Sequence, residues 1–171
     1  MTLVQATLAS GLEDLEPTDS EATAIQRFVD AWEGYFEGAS VQGVPVQAGT
    51  LAAALASLQA GLAGWSQDSA AAAAIQTGLT SFWTTLAPSA ALIWLPVPNT
   101  VTPPAVPPPG LSGISASLTA LFTTLTASGT TTKEQAAAQI AAILHASAGV
   151  GGTVTIQPPP PATPITGVPI L

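Results

Sequence analysis

The sequence predicts a mainly α-helical protein of three repeated helical hairpins, joined by extended Pro- and Gly-rich segments with minor β-structure. Two observations carry this. First, a polar cap followed by alanines and an isoleucine is written three times. It reads Asp19-Ser20-Glu21-Ala22-Thr23-Ala24-Ile25, then Asp68-Ser69 with alanines to Ile75, then Lys133-Glu134-Gln135-Ala136-Ala137-Ala138-Gln139-Ile140. Ile25 and Ile75 stand 50 residues apart, and Ile75 and Ile140 stand 65 apart. Second, an upstream leucine pair keeps nearly the same steps: Leu8, Leu58, Leu121 and Leu12, Leu62, Leu125 recur at intervals of 50 and 63. A single two-helix unit cannot bury its apolar stripe, whereas three can bury theirs against one another or against other chains.

The units read as residues 1–48, 49–109 and 110–157, with a Pro-rich tail at 158–171. In the first, residues 1–15 form a short helix with Val4, Leu8, Leu12 and Leu15 near one face, stopped by Pro17. Thr18 with Glu21 has the spacing of a capping box, in which two side chains satisfy each other's free backbone N–H groups. The helix it opens carries Ile25, Val29, Trp32 and Phe36 and ends at Gly38. Residues 39–46 alternate like a strand, but Pro45 restricts them to an edge or extended segment.

The second unit opens near Gly49-Thr50. Leu51, Leu55, Leu58, Leu62 and Trp65 recur at amphipathic spacing. Asp68 caps the partner helix, which carries Ile75, Leu79, Phe82 and Leu86. An apolar extended run, residues 91–97, leads into a Pro-rich linker at 98–109 with polyproline II character. In the third unit Ile114, Leu118, Leu121 and Leu125 repeat the stripe, and Ser128-Gly129 breaks the helix. Thr131 with Glu134 has capping-box spacing for the partner helix, which carries Ile140 and Leu144 and reaches His145. Residues 153–156 are a short strand candidate.

Charge narrows the function. The net charge is −8, and eight of the ten acids lie between Glu13 and Glu37. Beyond Gly38 only Asp68, Lys133 and Glu134 are charged. A free soluble domain keeps a mixed charged surface, so this one suits packing against neighbours. Arg27 and Lys133 are the only strong cations, which argues against a nucleic-acid partner, whose phosphates demand clustered Lys and Arg. The absence of cysteine excludes disulfides and thiolate sites. No secretory leader or membrane span is expected: the N-terminus lacks a basic region, and the apolar run at 90–97 is too short to cross a bilayer.

No residue is expected to be catalytic, to bind a cofactor or to hold a metal. His145, the only histidine, has no nucleophile or carboxylate beside it in sequence, and its place in a last helical turn suits a cation on the helix dipole. Asp30, Glu33 and Glu37 share one face, which reads as a solvated acidic surface or a docking face for a basic partner. They lack the loop spacing of a calcium site. Trp32, Trp65 and Trp83 read as core anchors, and Trp94 as a contact with another chain. The Gly149–Gly152 run follows a helix instead of opening one and has no Lys-Ser/Thr, so it is not a phosphate loop.

The C-terminal unit resembles small virion structural proteins of tailed bacteriophages. The likeness lies in Ala136-Ala137-Ala138-Gln139-Ile140 running to His145, then Gly152-Thr153-Val154-Thr155-Ile156-Gln157-Pro158, then Thr163-Pro164-Ile165-Thr166-Gly167-Val168-Pro169-Ile170-Leu171. It covers under a quarter of the chain, and it implies a particle component located in the virion, with no enzymatic residues. The expected function is therefore a non-enzymatic structural subunit of a phage or phage-like assembly, in capsid or tail. Its extended arms would contact neighbours through Val41, Trp94, Leu95, Val97, Ile156, Ile165, Val168 and Ile170. The expected partners are other structural proteins of the same particle, or further copies of this chain. The alternative is a secreted or surface interaction protein with Thr/Pro-rich linkers. A hydrolase with a carboxylate pair would need two of the N-terminal acids to converge in a pocket.

Overall fold

Helices dominate the structure, a computed structural model that describes residues 3–15, 19–41, 44–45, 48–63, 65, 70–86, 92–94, 97–157 and 163–170. The helices are α1 (Gln5–Leu12), α2 (Glu21–Phe36), α3 (Ala48–Gly61), α4 (Ala71–Thr85), α5 (Ile114–Ser128) and α6 (Lys133–Leu144). The strands are β1 (Ser40–Val41), β2 (Val44–Pro45), β3 (Leu92–Trp94), β4 (Val97–Val106), β5 (Thr153–Gln157) and β6 (Ile165–Pro169).

The core is built from α2 and α4 outward. Ile25, Phe28, Val29, Trp32, Tyr35 and Phe36 return every three or four residues along α2, and all are buried. On α4, Ile75, Leu79, Phe82 and Trp83 do the same. The two stripes meet through aromatic edges. Phe36 and Phe82 lie 4.9 Å apart at 71°, and Trp32 meets Phe82 at 5.8 Å and 90°. The start of α2 differs from expectation: Ser20, not Thr18, is the N-cap, its hydroxyl accepting from the Thr23 N–H at 3.2 Å. Thr18 lies outside the described residues, as does Asp68, and α4 begins after Ala70 with no side-chain cap.

Small residues set how closely the helices pair. A Cβ on Gly11 would stand 2.7 Å from the Ala31 Cβ, so α1 and α2 touch nearly backbone to backbone. A Cβ on Gly61 would stand 2.6 Å from the Gly78 Cα, which brings α3 against α4 in the same way. The α5–α6 pair has no such notch. Only Ile114 and Leu118 of α5 are buried outright, while Leu121, Phe122 and Leu125 are partly buried, Phe122 against the core. Helix α6 packs more extensively against α1 than against α5.

A 3-10 turn, Pro109–Gly113, leads into α5, and α5 ends at Gly129, whose φ of 58° is left-handed and favours glycine. The capping box of α6 is Thr132 with Gln135, one residue beyond the Thr131–Glu134 pair that the spacing suggests. Both pairs satisfy the sequence rule. Thr131 is diverted because its hydroxyl bonds that of Ser128 at 2.7 Å. Together Pro109–Ser128 forms a 20-residue helical stretch of mean hydropathy 1.2, long and apolar enough to cross a membrane by length and composition alone.

The extended segments depart furthest from expectation. The Pro-rich linker is a strand, β4, and part of the Pro-rich tail is another, β6. The order is β3-β4-β5-β6, all antiparallel. Proline is accommodated inside β4 because, among the described residues, each half of the strand is paired on one side only. Residues 97–99 pair with β3, and Thr100, Val101, Thr102 and Val106 pair with β5. A missing N–H can therefore face the open side. Pro103 and Pro104 fall where the β4–β5 register shifts, between Thr102 and Val106. β1 and β2 form a separate two-stranded ribbon.

Candidate functional site

Three places gather residues with functional capacity. The first is where α6 unwinds. His145–Gly149 form a π-turn, closed by the Val150 N–H donating to the His145 carbonyl at 3.0 Å. Two core aromatics grip it. The Tyr35 hydroxyl lies 2.7 Å from His145 Nδ1, and Trp83 Nε1–H donates to the Ala148 carbonyl at 2.8 Å. A Cβ on Gly149 would overlap the Tyr35 hydroxyl, and one on Gly152 would overlap the Trp83 ring. Glycine at both positions lets the chain pass over the aromatic cluster. Burial raises the Tyr35 phenol above its ordinary pKa of 10.0. Folding thus gives His145 a partner that sequence proximity could not show. That partner is a buried hydroxyl, neither an orienting carboxylate nor a group opening into a cleft. The arrangement ties the π-turn to the core.

The second place is the cleft between α1 and α2, with a volume of ≈ 450 Å³, lined by Thr7, Ser10, Gly11, Asp14, Asp30, Ala31 and Gly34. Folding does bring two of the N-terminal acids, Asp14 and Asp30, to one cleft. Both side chains are exposed, and Asp30 accepts from Gln26 Nε2 at 2.7 Å. Arg27, at the cleft wall, donates to the Asp14 carbonyl and pairs with Asp19 at 3.3 Å. Among the described residues no group of three or more His, Asp or Glu side chains is placed to hold a metal ion.

The third place is the outer face of α5. Thr119, Thr123, Thr124 and Thr126 donate their hydroxyls to the carbonyls of Ser115, Thr119, Ala120 and Phe122, at 2.8–3.0 Å. The helix thus uses its own side-chain donors and shows a weakly polar, uncharged surface.

The residues expected to touch partners divide. Ile156, Val168 and Ile170 are buried within the chain itself, as part of its hydrophobic core. Ile165, at 51% exposure, remains open. Val41, Trp94 and Val97 lie in β1, β3 and β4, where only the strand pairing is described. Leu95 lies outside the described residues.

No family model, no curated protein and no solved structure matches this chain.

Proposed function

We propose that this chain is a non-enzymatic structural subunit of a large assembly, a phage or phage-like particle, whose partners are other proteins of that particle and further copies of itself. The observation that carries the reading is the asymmetry of charge and packing. No charged residue occurs between Asp68 and Lys133, and α5, inside that interval, buries Leu121, Phe122 and Leu125 only in part. An uncharged surface with part-covered leucines is suited to burial against a neighbour. The likeness of the C-terminal unit to phage structural proteins supports the same role. With β5 and β6 held in the sheet, the contact surface moves from the extended arms to the α5 face and Ile165.

The repeat belongs to this reading. Three copies of a helical hairpin arose by duplication and diverged. Two kept the glycine notch at Gly11 and Gly61, and the third has Thr124 at the corresponding place and stands open as the contact unit.

The test is gradient sedimentation of extracts from the cells that make the chain, followed by quantitative mass spectrometry of its peptides. Recovery in a particle-sized fraction, at fixed ratio to other proteins there, is the expected outcome. Recovery only as free chain overturns the reading.

A further inference from the structure

We infer that the π-turn His145–Gly149 is an acid-released latch: protonation of His145 withdraws the acceptor of the Tyr35 hydroxyl, and the turn lets go of α2 together with the entry of α5 that rests on it. This does not depend on the particle reading, since every group involved belongs to one chain.

The contact fixes where the protons are. Among the described residues the Tyr35 hydroxyl has one partner, His145 Nδ1 at 2.7 Å, and Tyr35 is 1% exposed. Its proton is therefore donated to Nδ1, and the neutral ring carries its own hydrogen on Nε2. The only nitrogen free to take up a further proton is the one the phenol already occupies. His145 itself is partly exposed, so solvent protons reach it. Once protonated, Nδ1 is a donor, and the phenol hydrogen is left without an acceptor against Gly149. A buried donor without an acceptor shifts an equilibrium by roughly 5–150-fold against the state that contains it.

Little opposes this. The π-turn carries helical backbone on to Gly149 and leaves His145 a turn short of the helix end, where a cation is favoured most. The elements around the turn and α6 are α1, α2, α4, α5 and Pro109–Gly113. Of these, α1, α4, α5 and Pro109–Gly113 contain no titratable side chain. Glu13 and Asp14 follow α1, Asp14 in the cleft beside Asp30. On α2, Asp30, Glu33 and the C-cap Glu37 project from the side nearly opposite Tyr35, and Glu21 and Arg27 lie about two turns or more away. Lys133 and Glu134 stand at the far end of α6, about 16–18 Å up the helix. Tyr35 is the titratable partner that remains.

The turn holds more than itself. A Cβ on Gly110 would stand 3.0 Å from the Ser147 Cα, so Pro109–Gly113, which opens α5, is seated on it. The sign of the pH dependence follows from proton counting. The opened turn binds a proton that the closed turn excludes. Stability of the closed turn is therefore fully present above the range in which histidine titrates, about pH 5–8, and is lost as pH falls through it.

The native chain supplies two tests, having one histidine and one tyrosine. Nitrogen-15 spectra of the imidazole at about pH 8 should show Nδ1 to be the nitrogen without hydrogen. A bare Nε2 overturns the inference. Amide hydrogen exchange, corrected for the intrinsic effect of pH, should show protection at 146–150 and at 111–114 falling about tenfold between about pH 8 and about pH 5. This window lies above the ordinary carboxylate range, so the acids of α2 keep their charge across it. Unchanged protection in either segment overturns the inference. Tyr35→Phe has no phenol hydrogen to strand. Its protection should start lower and stay nearly level over the same window, and a fall equal to that of the native chain overturns the inference.

Discussion

The hydroxyl of Tyr35 and Nδ1 of His145 meet at 2.7 Å, joining two residues 110 positions apart and fastening the π-turn to the aromatic core. Each is the sole residue of its type in the chain, so their contributions can be isolated. Tyr35→Phe should lower stability by about 1–2 kcal/mol, since it removes one buried hydrogen bond. His145→Ala should cost at least as much, because it strands a buried hydroxyl. Urea unfolding of the single and double variants, with a positive coupling between the two sites, checks the pairing.

The same tyrosine predicts an alkaline limit. Burial raises its pKa in the folded chain above the ordinary value of 10.0. The sign follows from proton linkage. Below the unfolded value both states hold the phenol proton, and stability is unaffected. Above it the unfolded chain binds fewer protons than the folded one, so stability falls as pH rises. Unfolding followed from neutral pH into the alkaline range should show this loss in the native chain and a smaller one in Tyr35→Phe. Phenolate absorbance of the folded protein should appear later than that of a free tyrosine.

The helix contacts predict opposite outcomes for one kind of substitution. Gly61→Ala places a Cβ 2.6 Å from the Gly78 Cα and should cost about 1–3 kcal/mol, as overpacking does. Gly34→Ala meets nothing within 4 Å in mid-helix and should stabilise by about 0.5–1 kcal/mol through helix propensity. Thermal unfolding of the two variants checks both signs.

At the glycine under Trp83, Gly152→Ala should destabilise by about 1–3 kcal/mol, because the added Cβ overlaps a ring that is fully buried and bonded to the Ala148 carbonyl. Near-ultraviolet circular dichroism should lose tryptophan signal in this variant before helix content falls.

The start of α6 separates two adjacent threonines. Thr132→Ala should cost about 1 kcal/mol by removing the N-cap, whereas Thr131→Ala should be nearly neutral. Equal losses would return the cap to Thr131.

The helices were legible because amphipathic spacing is local. Ile25, Val29, Trp32 and Phe36 announce the buried face of α2 without reference to anything else in the chain. The cap positions were legible only to within a residue or two, since Thr131–Glu134 and Thr132–Gln135 obey the same rule and a hydroxyl contact with Ser128 decides between them. Strand β4 was hidden because its prolines argue against a strand, and only the change of partner along its length makes them acceptable. The Tyr35–His145 contact had no local signal. The glycines at 149 and 152 were visible as helix breakers, but their tight fit against Tyr35 and Trp83 is a property of packing.

The partner change in β4 also has a mechanical consequence. Asn99 is paired with Leu92, and the next residue, Thr100, with Gln157 on the opposite side. Among the described residues no residue of β4 is paired on both sides at once, so within them the β3 ladder and the β5–β6 ladder meet end to end, and a pull on one reaches the other through the covalent backbone of β4 between Asn99 and Thr100.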